Sequence, residues 1–339
     1  MDSGKDTRLN GKRTLRARVI SQERDIYTVN CALGEIPAEV SGRFKYDAVT
    51  ISDFPAVGDY VLIETDGGEG HGIITALFPR KSCFTRKAAG TGHKEQVVAA
   101  NIDYCFICMS LNNDFNLRRL ERYLTAANSG GIVPVVVLTK ADLCTDKEKK
   151  ISEVRAVAGD ADVIAVSSYP GEYEEVYPYL KAEKTVAFLG SSGVGKSTLI
   201  NRLLGKEVMK TQGLRNDDKG RHTTVRREVM ELPGGAFVID TPGMRELGMW
   251  DSEEGIDITF SDIEELSAMC RFSDCSHGNE PGCAVRKAID TGVLKPKRFE
   301  SYLKLKKENA YAAGTDSYLE IKTRKFREIS KINKKRRRK

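Results

Sequence analysis

The sequence predicts a multi-domain chain in three units: a small β-barrel of the oligonucleotide-binding type over residues 1–82, an α/β unit built on a glycine-rich loop over 83–250, and a helical unit tied by a cysteine–histidine cluster over 251–339. Three observations carry this division. Five short strand-like stretches follow one another between Leu15 and Leu77 with turn residues between them. Thr185 to Leu204 reads TVAFLGSSGVGKSTLINRLL, a strand, a turn and a helix without a break. Cys270, Cys275, His277 and Cys283 fall within fourteen residues. At 339 residues, each unit is long enough to bury a core of its own.

The net charge of +6 belongs to one end. Lys322 to Lys339 holds eleven Lys or Arg against one Glu, a local +10, so the rest of the chain sums to −4. The first twenty residues contain no apolar h-region, and the longest aliphatic run, Val133 to Leu138, is far shorter than a membrane span. A cytoplasmic protein without a membrane partner is expected, and its eight cysteines are then thiols or metal ligands rather than disulfides. Cys105 and Cys108 lie three apart in a strand-like run, hence on opposite faces, and are read as core or surface thiols.

In the first unit, Leu15 to Ile20, Ile26 to Cys31, a stretch around Arg43 to Tyr46, Asp59 to Glu64 and Gly72 to Leu77 read as the strands of a closed barrel. Arg13, Arg16, Arg18, Arg43, Lys45, Arg80, Lys81, Arg86 and Lys87, with Phe44, Tyr46 and Phe84 among them, suit contact with RNA. A solvated barrel surface over core aromatics is the competing reading.

From about residue 95 the elements lengthen. Ile102 to Met109, Val133 to Leu138 and Val163 to Val166 read as buried strands, and Leu117 to Ala127 and Ile151 to Val157 as helices. This alternation predicts a parallel sheet covered on both faces, whose ligands lie beyond the carboxyl ends of the strands. After the strand Thr185 to Leu189 comes GSSGVGKS, followed by a helix that Gly205 stops. Glycines at 190, 193 and 195 let the backbone curl with its N–H groups inward, so Gly190, Ser191, Ser192, Gly193, Val194, Gly195, Lys196, Ser197 and Thr198 form the expected phosphate-binding set. Lys196 reaches the terminal phosphates as a point charge, and the Ser197 hydroxyl suits a magnesium ion bridging two of them.

Thr139-Lys140-Ala141-Asp142 and Ser167-Ser168 lie at two further strand ends. A carboxylate accepts both N1–H and N2–H₂ of guanine, a pair adenine does not offer, so Asp142 is read as a guanine selector. The Lys140 stem covers the base face, and a backbone N–H near Ser167 or Ser168 donates to guanine O6. Thr139 stands where many such loops carry Asn, which predicts a weakened base and loop contact. Beyond the phosphate loop, Gly213 to His222 reads as a mobile loop ending in Thr223-Thr224, and Val238 to Gly243 as a strand ending in DxxG. Asp240 is expected to hold the magnesium through water and the Gly243 N–H to reach the γ-phosphate. A threonine of the mobile loop, Thr224 or its neighbour Thr223, is expected to complete the metal shell.

In the last unit, Cys270, Cys275, His277 and Cys283, interrupted by Gly278, Pro281 and Gly282, supply a full tetrahedral Cys₃His shell with no position left for water. The reading is one structural zinc site. Segments 284–291, 296–310 and 316–333 read as helices around it, and the KKRRRK end suits rRNA phosphates.

The base-reading pair at 139–142 and 167–168 precedes the phosphate and switch motifs at 190–197, 223–224 and 240–243. Joining the neighbouring ends of a domain and cutting elsewhere gives this order without changing the fold, so the unit reads as a circularly permuted P-loop G domain. With a barrel before it and a cysteine cluster after it, the chain resembles the ribosome small subunit-dependent GTPase family RsgA over nearly its whole length. The resemblance implies GTP hydrolysis stimulated by the 30S ribosomal subunit during its late maturation, with 16S rRNA as a partner. It also implies that His222 takes the water-positioning role, since Met244 after Gly243 cannot orient water; ordering the loop is the other role open to His222. A monomer is expected. The rival function is an RNA-binding scaffold that holds guanine nucleotide without turnover, and an ATP-dependent RNA factor is a further alternative.

Overall fold

The computed structural model describes residues 7–9, 12–66, 70–87, 95–112, 114–167, 169, 171–209, 228–240, 253–278 and 280–310. Five strands, β2 (Lys12–Glu23), β3 (Ile26–Cys31), β4 (Gly34–Val40), β5 (Tyr60–Thr65) and β6 (Gly72–Leu77), close a barrel in the order β2-β3-β4-β6-β5, with β5 returning to β2. A short β1 (Thr7–Leu9) pairs with the start of β2. Alternation sets the inside: Leu15, Ala17 and Val19 of β2 pack on Val29, Ile36, Val61, Ile63 and Ile74.

Two expectations for the barrel are corrected. The stretch around Arg43 to Tyr46 is a helix, α1 (Gly42–Asp47), because the Ser41 side chain caps it by accepting the Phe44 N–H at 3.1 Å. The missing fifth strand is β4, GEIPAEV, whose proline and acidic residues resemble a turn. Pro37 is tolerated because it precedes Ala38, where β4 first meets β6.

The α/β unit begins with a hairpin that sequence periodicity did not reveal, β7 (Cys83–Lys87) with β8 (Glu95–Ala100). Its parallel strands are β9 (Tyr104–Ser110), β10 (Val133–Thr139), β11 (Asp162–Ala165), β12 (Thr185–Leu189) and β14 (Phe237–Asp240), joined by the antiparallel β13 (Glu228–Glu231). The spatial order is β11-β10-β9-β12-β14-β13, which puts the strand of the glycine-rich loop at the centre. Helices α2 (Leu117–Ser129), α3 (Lys147–Ala158) and α4 (Lys196–Leu204) cover the sheet. Cys105 joins one core face with Ile107, and Cys108 the other with Phe106, as an offset of three in a strand requires. Ser21 of β2 pairs with Glu228 of β13, so barrel and sheet form one continuous 12-stranded system.

Packing within and between the units removes several of the basic and aromatic residues from an RNA-facing role. Arg18 is 7% exposed, lies over the Phe237 ring at 4.6 Å and donates to Thr185 Oγ1 at 2.6 Å. Arg80 clasps the fully buried Asp59 at 2.7 Å and the carbonyls of Ser52 and Phe54. Phe84 belongs to the core of the α/β unit. Arg16, Arg43, Lys45, Tyr46 and Lys81 remain exposed.

The C-terminal helices, α5 (Glu253–Thr259), α6 (Ser261–Ala268), α7 (Ala284–Asp290) and α8 (296–310), enclose Ile256, Phe260, Ile263, Val285, Phe299 and Tyr302. They dock on one face of α2. Arg298 of α8, all but closed off from solvent, donates to the buried Glu121 at 3.0 Å and to the half-exposed Asp262 at 2.7 Å. Arg118–Glu300 and Arg122–Glu308 pairs, each 2.8 Å, flank it. Gly255 lets α5 touch α2, because a Cβ there would lie 2.6 Å from the Thr125 carbonyl oxygen. The expected 316–333 helix and the basic tail lie outside the described residues.

Candidate nucleotide and metal sites

The glycine-rich loop leaves β12 at its carboxyl end. Gly190, Gly193 and Gly195 have φ of 145°, 77° and 103°, and a Cβ on Gly190 would sit 2.4 Å from the Cys108 carbonyl oxygen of β9. Only glycine permits both the conformation and the approach. Val194 is the apolar anchor, buried beneath the loop among Phe188, Leu199 and Ile200. Ser192 is exposed at the tip, and Ser197 and Thr198 are half-buried in the first turn of α4. That turn directs its free N–H groups toward the loop, an arrangement suited to anions. Lys196 bends back over the loop and donates to the Gly190 and Ser191 carbonyls at 2.8 and 2.7 Å.

The end of β10 reaches the same loop. Thr139, 5% exposed, donates its hydroxyl to the Val194 carbonyl, and Lys140 Nζ donates to the Gly193 carbonyl at 2.8 Å. The loop contact expected to be weakened at Thr139 is made here by the threonine hydroxyl. Lys140 adopts a left-handed φ of 57°, a conformation that costs roughly 1–3 kcal/mol in a non-glycine residue and clusters at functional sites. Asp142 follows in a 3₁₀ turn (Ala141–Leu143) and is exposed, with its carboxylate open to a ligand. The Ala141 N–H bonds the Val166 carbonyl at 3.3 Å, which joins the loops after β10 and β11. Ser167 is buried and its N–H is already given to the Glu172 carbonyl at 2.9 Å. Ser168 lies outside the described residues, as do His222, Thr223, Thr224, Gly243 and Met244.

Asp240 ends β14, the neighbour of β12. Burial pushes its carboxyl up from the usual carboxylate range, and the nearby Lys196 ammonium opposes that push. An ionisable oxygen ligand and the Ser197 hydroxyl are hard donors of the kind magnesium takes. One contact was not legible in the sequence: Asp114, from the loop after β9, accepts the Ser191 hydroxyl hydrogen. The sequence signal there, Asn116 before an apolar-periodic segment, indicates a helix start and says nothing about what the preceding carboxylate touches.

In the C-terminal unit the four predicted ligands converge. Their ligand atoms all lie within 4.8 Å of one another. Cys270 Sγ is 3.9 Å from Cys283 Sγ, and His277 Nδ1 is 3.6 and 3.5 Å from those two sulfurs. A tetrahedral ion with usual zinc bond lengths requires about 3.8 Å between sulfurs and about 3.6 Å from sulfur to nitrogen. Ser267 Oγ lies 3.1 Å from His277 Nε2, which leaves Nδ1 as the ligand atom. The Ala284 and Arg286 N–H groups each point at a cysteine sulfur, at 3.4 Å. The set can hold one metal ion.

A glycine-rich loop on the central strand, flanked by the loops after β10 and β11, whose strands precede it in the chain, defines a circularly permuted P-loop nucleotide-binding protein. The description "RsgA GTPase" matches residues 77–250. Small ribosomal subunit biogenesis GTPase RsgA 2 of Lactiplantibacillus plantarum is 47% identical over 316 residues, 93% of this chain and 88% of that protein. RsgA of Methanosarcina acetivorans is 42% identical over 299 residues, 88% of this chain and 80% of its own. Among solved structures, YjeQ from Thermotoga maritima aligns with a TM-score of 0.65 at 28% identity, covering 86% of this chain and 97% of that one. YloQ, described as a circularly permuted GTPase, aligns at 0.60 and 24% identity over 90% and 96%, a likeness that bears on the fold alone. The chain belongs to the RsgA GTPase family.

Proposed function

We propose that this protein hydrolyses GTP to GDP and phosphate in response to the 30S ribosomal subunit, late in that subunit's maturation. The observation that carries the reading is the pair of bonds from Thr139 and Lys140 to the Val194 and Gly193 carbonyls, which ties a guanine-type base loop to a phosphate loop in one sheet. Relatives bearing the name small ribosomal subunit biogenesis GTPase support the setting.

In this reading Asp142 accepts the guanine N1–H and N2–H₂, and Lys140 covers the base. The loop amides from Ser191 to Ser197 and the Lys196 ammonium bind the phosphates and stabilise the charge that builds as water attacks. A magnesium ion held by Ser197, Asp240 and Thr224 would add charge neutralisation when bound. Gly243 reads the γ-phosphate, and His222 positions the attacking water. Zinc at Cys270, Cys275, His277 and Cys283 would cross-link the segment before α7 when bound. We further assign the chain as a cytoplasmic monomer of three units divided near residues 82 and 250, contacting 16S rRNA through exposed basic residues of the N-terminal unit and the basic tail. No described helix is long and apolar enough to cross a membrane.

The test is phosphate release from GTP by the protein alone, with 30S subunits and with 50S subunits. Stimulation by 30S alone is expected. Tight GTP binding without turnover under every condition would replace this reading with that of an RNA-binding scaffold, and stronger binding of ATP than GTP would remove the role given to Asp142.

A further inference from the structure

The loop between β9 and α2 reaches the phosphate loop through Asp114, which lies outside every nucleotide motif. Its placement is built in steps. Ser110, the last residue of β9, donates its hydroxyl to Asn112 Oδ1 at 2.7 Å, and the same oxygen accepts the Asp114 N–H at 3.1 Å. This side-chain turn fixes the Asp114 backbone as the chain leaves the sheet. One carboxylate oxygen, Oδ2, then accepts the Ser191 hydroxyl hydrogen, and the other, Oδ1, takes Arg119 of α2 at 2.9 Å. Asn116 starts that helix by accepting the Arg119 N–H at 3.0 Å.

Ser191 is thus held at two points. Its carbonyl accepts Lys196 Nζ, and its hydroxyl is bound by Asp114. Burial pushes the Asp114 carboxyl up, but the Ser191 hydroxyl, the Arg119 guanidinium and the Lys140 ammonium outweigh it and hold the group below the usual carboxylate range. It is an ionised acceptor at neutral pH. A bare carboxylate this close to bound phosphates would repel them; Arg119 neutralises it, so the acceptor is kept without the full cost of the charge.

We propose that Asp114 is a positioning residue of the phosphate loop. It fixes Ser191, the loop's second residue, so that the loop amides and Lys196 meet the phosphates in one geometry, and through Arg119 it ties that geometry to the start of α2. The proposal rests on the guanine-nucleotide reading of the site given above. α2 carries the C-terminal helices on its Glu121, Arg122 and Thr125 face, so the same rigid element has the phosphate loop at its start and those helices along its side.

The experiment is a titration of the full chain with a fluorescent GDP analogue, together with KM and kcat for GTP. Asp114→Ala and Ser191→Ala are each expected to weaken binding about tenfold to a hundredfold, the size of one hydrogen bond to a charged group. KM should rise in parallel. The double variant should bind no more weakly than either single one, because both remove the same bond. Asp114→Asn, whose amide oxygen still accepts from Ser191, should restore most of the affinity. Wild-type affinity in Asp114→Ala, additive losses in the double variant, or no rescue by Asn would each overturn the proposal. Absence of binding by the wild-type chain would instead overturn the nucleotide reading beneath it.

Discussion

The Thr139 hydroxyl and the Val194 carbonyl, 55 residues apart in the chain, are joined by a direct hydrogen bond that links the end of β10 to the middle of the phosphate loop. Both partners are buried. Removing the hydroxyl while keeping the shape, as in Thr139→Val, leaves the carbonyl without a partner and loosens the loop. Affinity for GDP and GTP should fall alike, by about fivefold to tenfold, whereas Thr139→Ser should hold it. Titration with fluorescent nucleotides checks both; a loss confined to GTP would argue that the bond serves hydrolysis and not binding.

Asp240 carries a raised pKa caused first by burial, with Lys196 in partial opposition. A group whose folded pKa is raised contributes stability that is full below its unfolded pKa and is lost as pH rises through the folded value. At neutral pH Asp240 therefore works against the nucleotide-free fold. Asp240→Asn is expected to melt higher at pH 7.5 without nucleotide and to lose less stability between acid and neutral pH. It should also bind GTP in magnesium at least about tenfold more weakly, since a charged metal partner is gone. Thermal melts from pH 4 to 8 and binding with and without magnesium measure the two effects; a lower neutral melting temperature would contradict the first.

Arg298 is the centre of the contact between α8 and α2, with its charge shared by Glu121 and Asp262 and its face laid on Phe260 at 4.8 Å. Arg298→Ala leaves Glu121 buried and unpaired, which costs about 3–5 kcal/mol. The expected outcome is early release of the C-terminal helices, seen as faster proteolysis between α6 and α7 and a separate, lower unfolding step. Adding Glu121→Leu to Arg298→Met should recover much of the loss, because it removes both buried charges together.

Metal removal should act on the C-terminal unit first. Extraction with a strong chelator is expected to lower helix content, while nucleotide affinity changes little, because the cluster and the phosphate loop share no residues. Ser267→Ala frees His277 Nε2 and should weaken metal binding by about tenfold. Competition with a metal-binding dye reads that change directly, and unchanged affinity would show that Ser267 does not orient the ring.

The chemistry of the site was legible in the sequence wherever spacing alone forces an arrangement. GSSGVGKS between a strand and a helix dictates the loop, and the four residues read as one Cys₃His shell do meet. What could not be read was anything that depends on distant segments meeting. Arg18 and Arg80 look like surface cations until the barrel packs on the α/β unit and covers one and Asp59 captures the other. Pro37 hid a strand, and the Ser41 cap converted a strand-like stretch into a helix. Asp114 carries no local pattern, because its meaning lies in Ser191, which is 77 residues away.

During synthesis, the permuted strand order decides which half of the site is finished first. β9, β10 and β11 leave the ribosome before β12, so the sheet waits with the inner edge of β9 unpaired until Thr185–Leu189 is made. An open edge of that kind recruits other strands. At the usual pace of translation, the interval between Ser110 and Thr185 lasts roughly 4 to 15 seconds. A cut placed just ahead of β12 would have put the central strand first and moved the open edge from β9 to β12. The nascent chain instead carries a finished barrel upstream of an unfinished sheet, and guanine nucleotide cannot help fold the unit until its phosphate loop has been made.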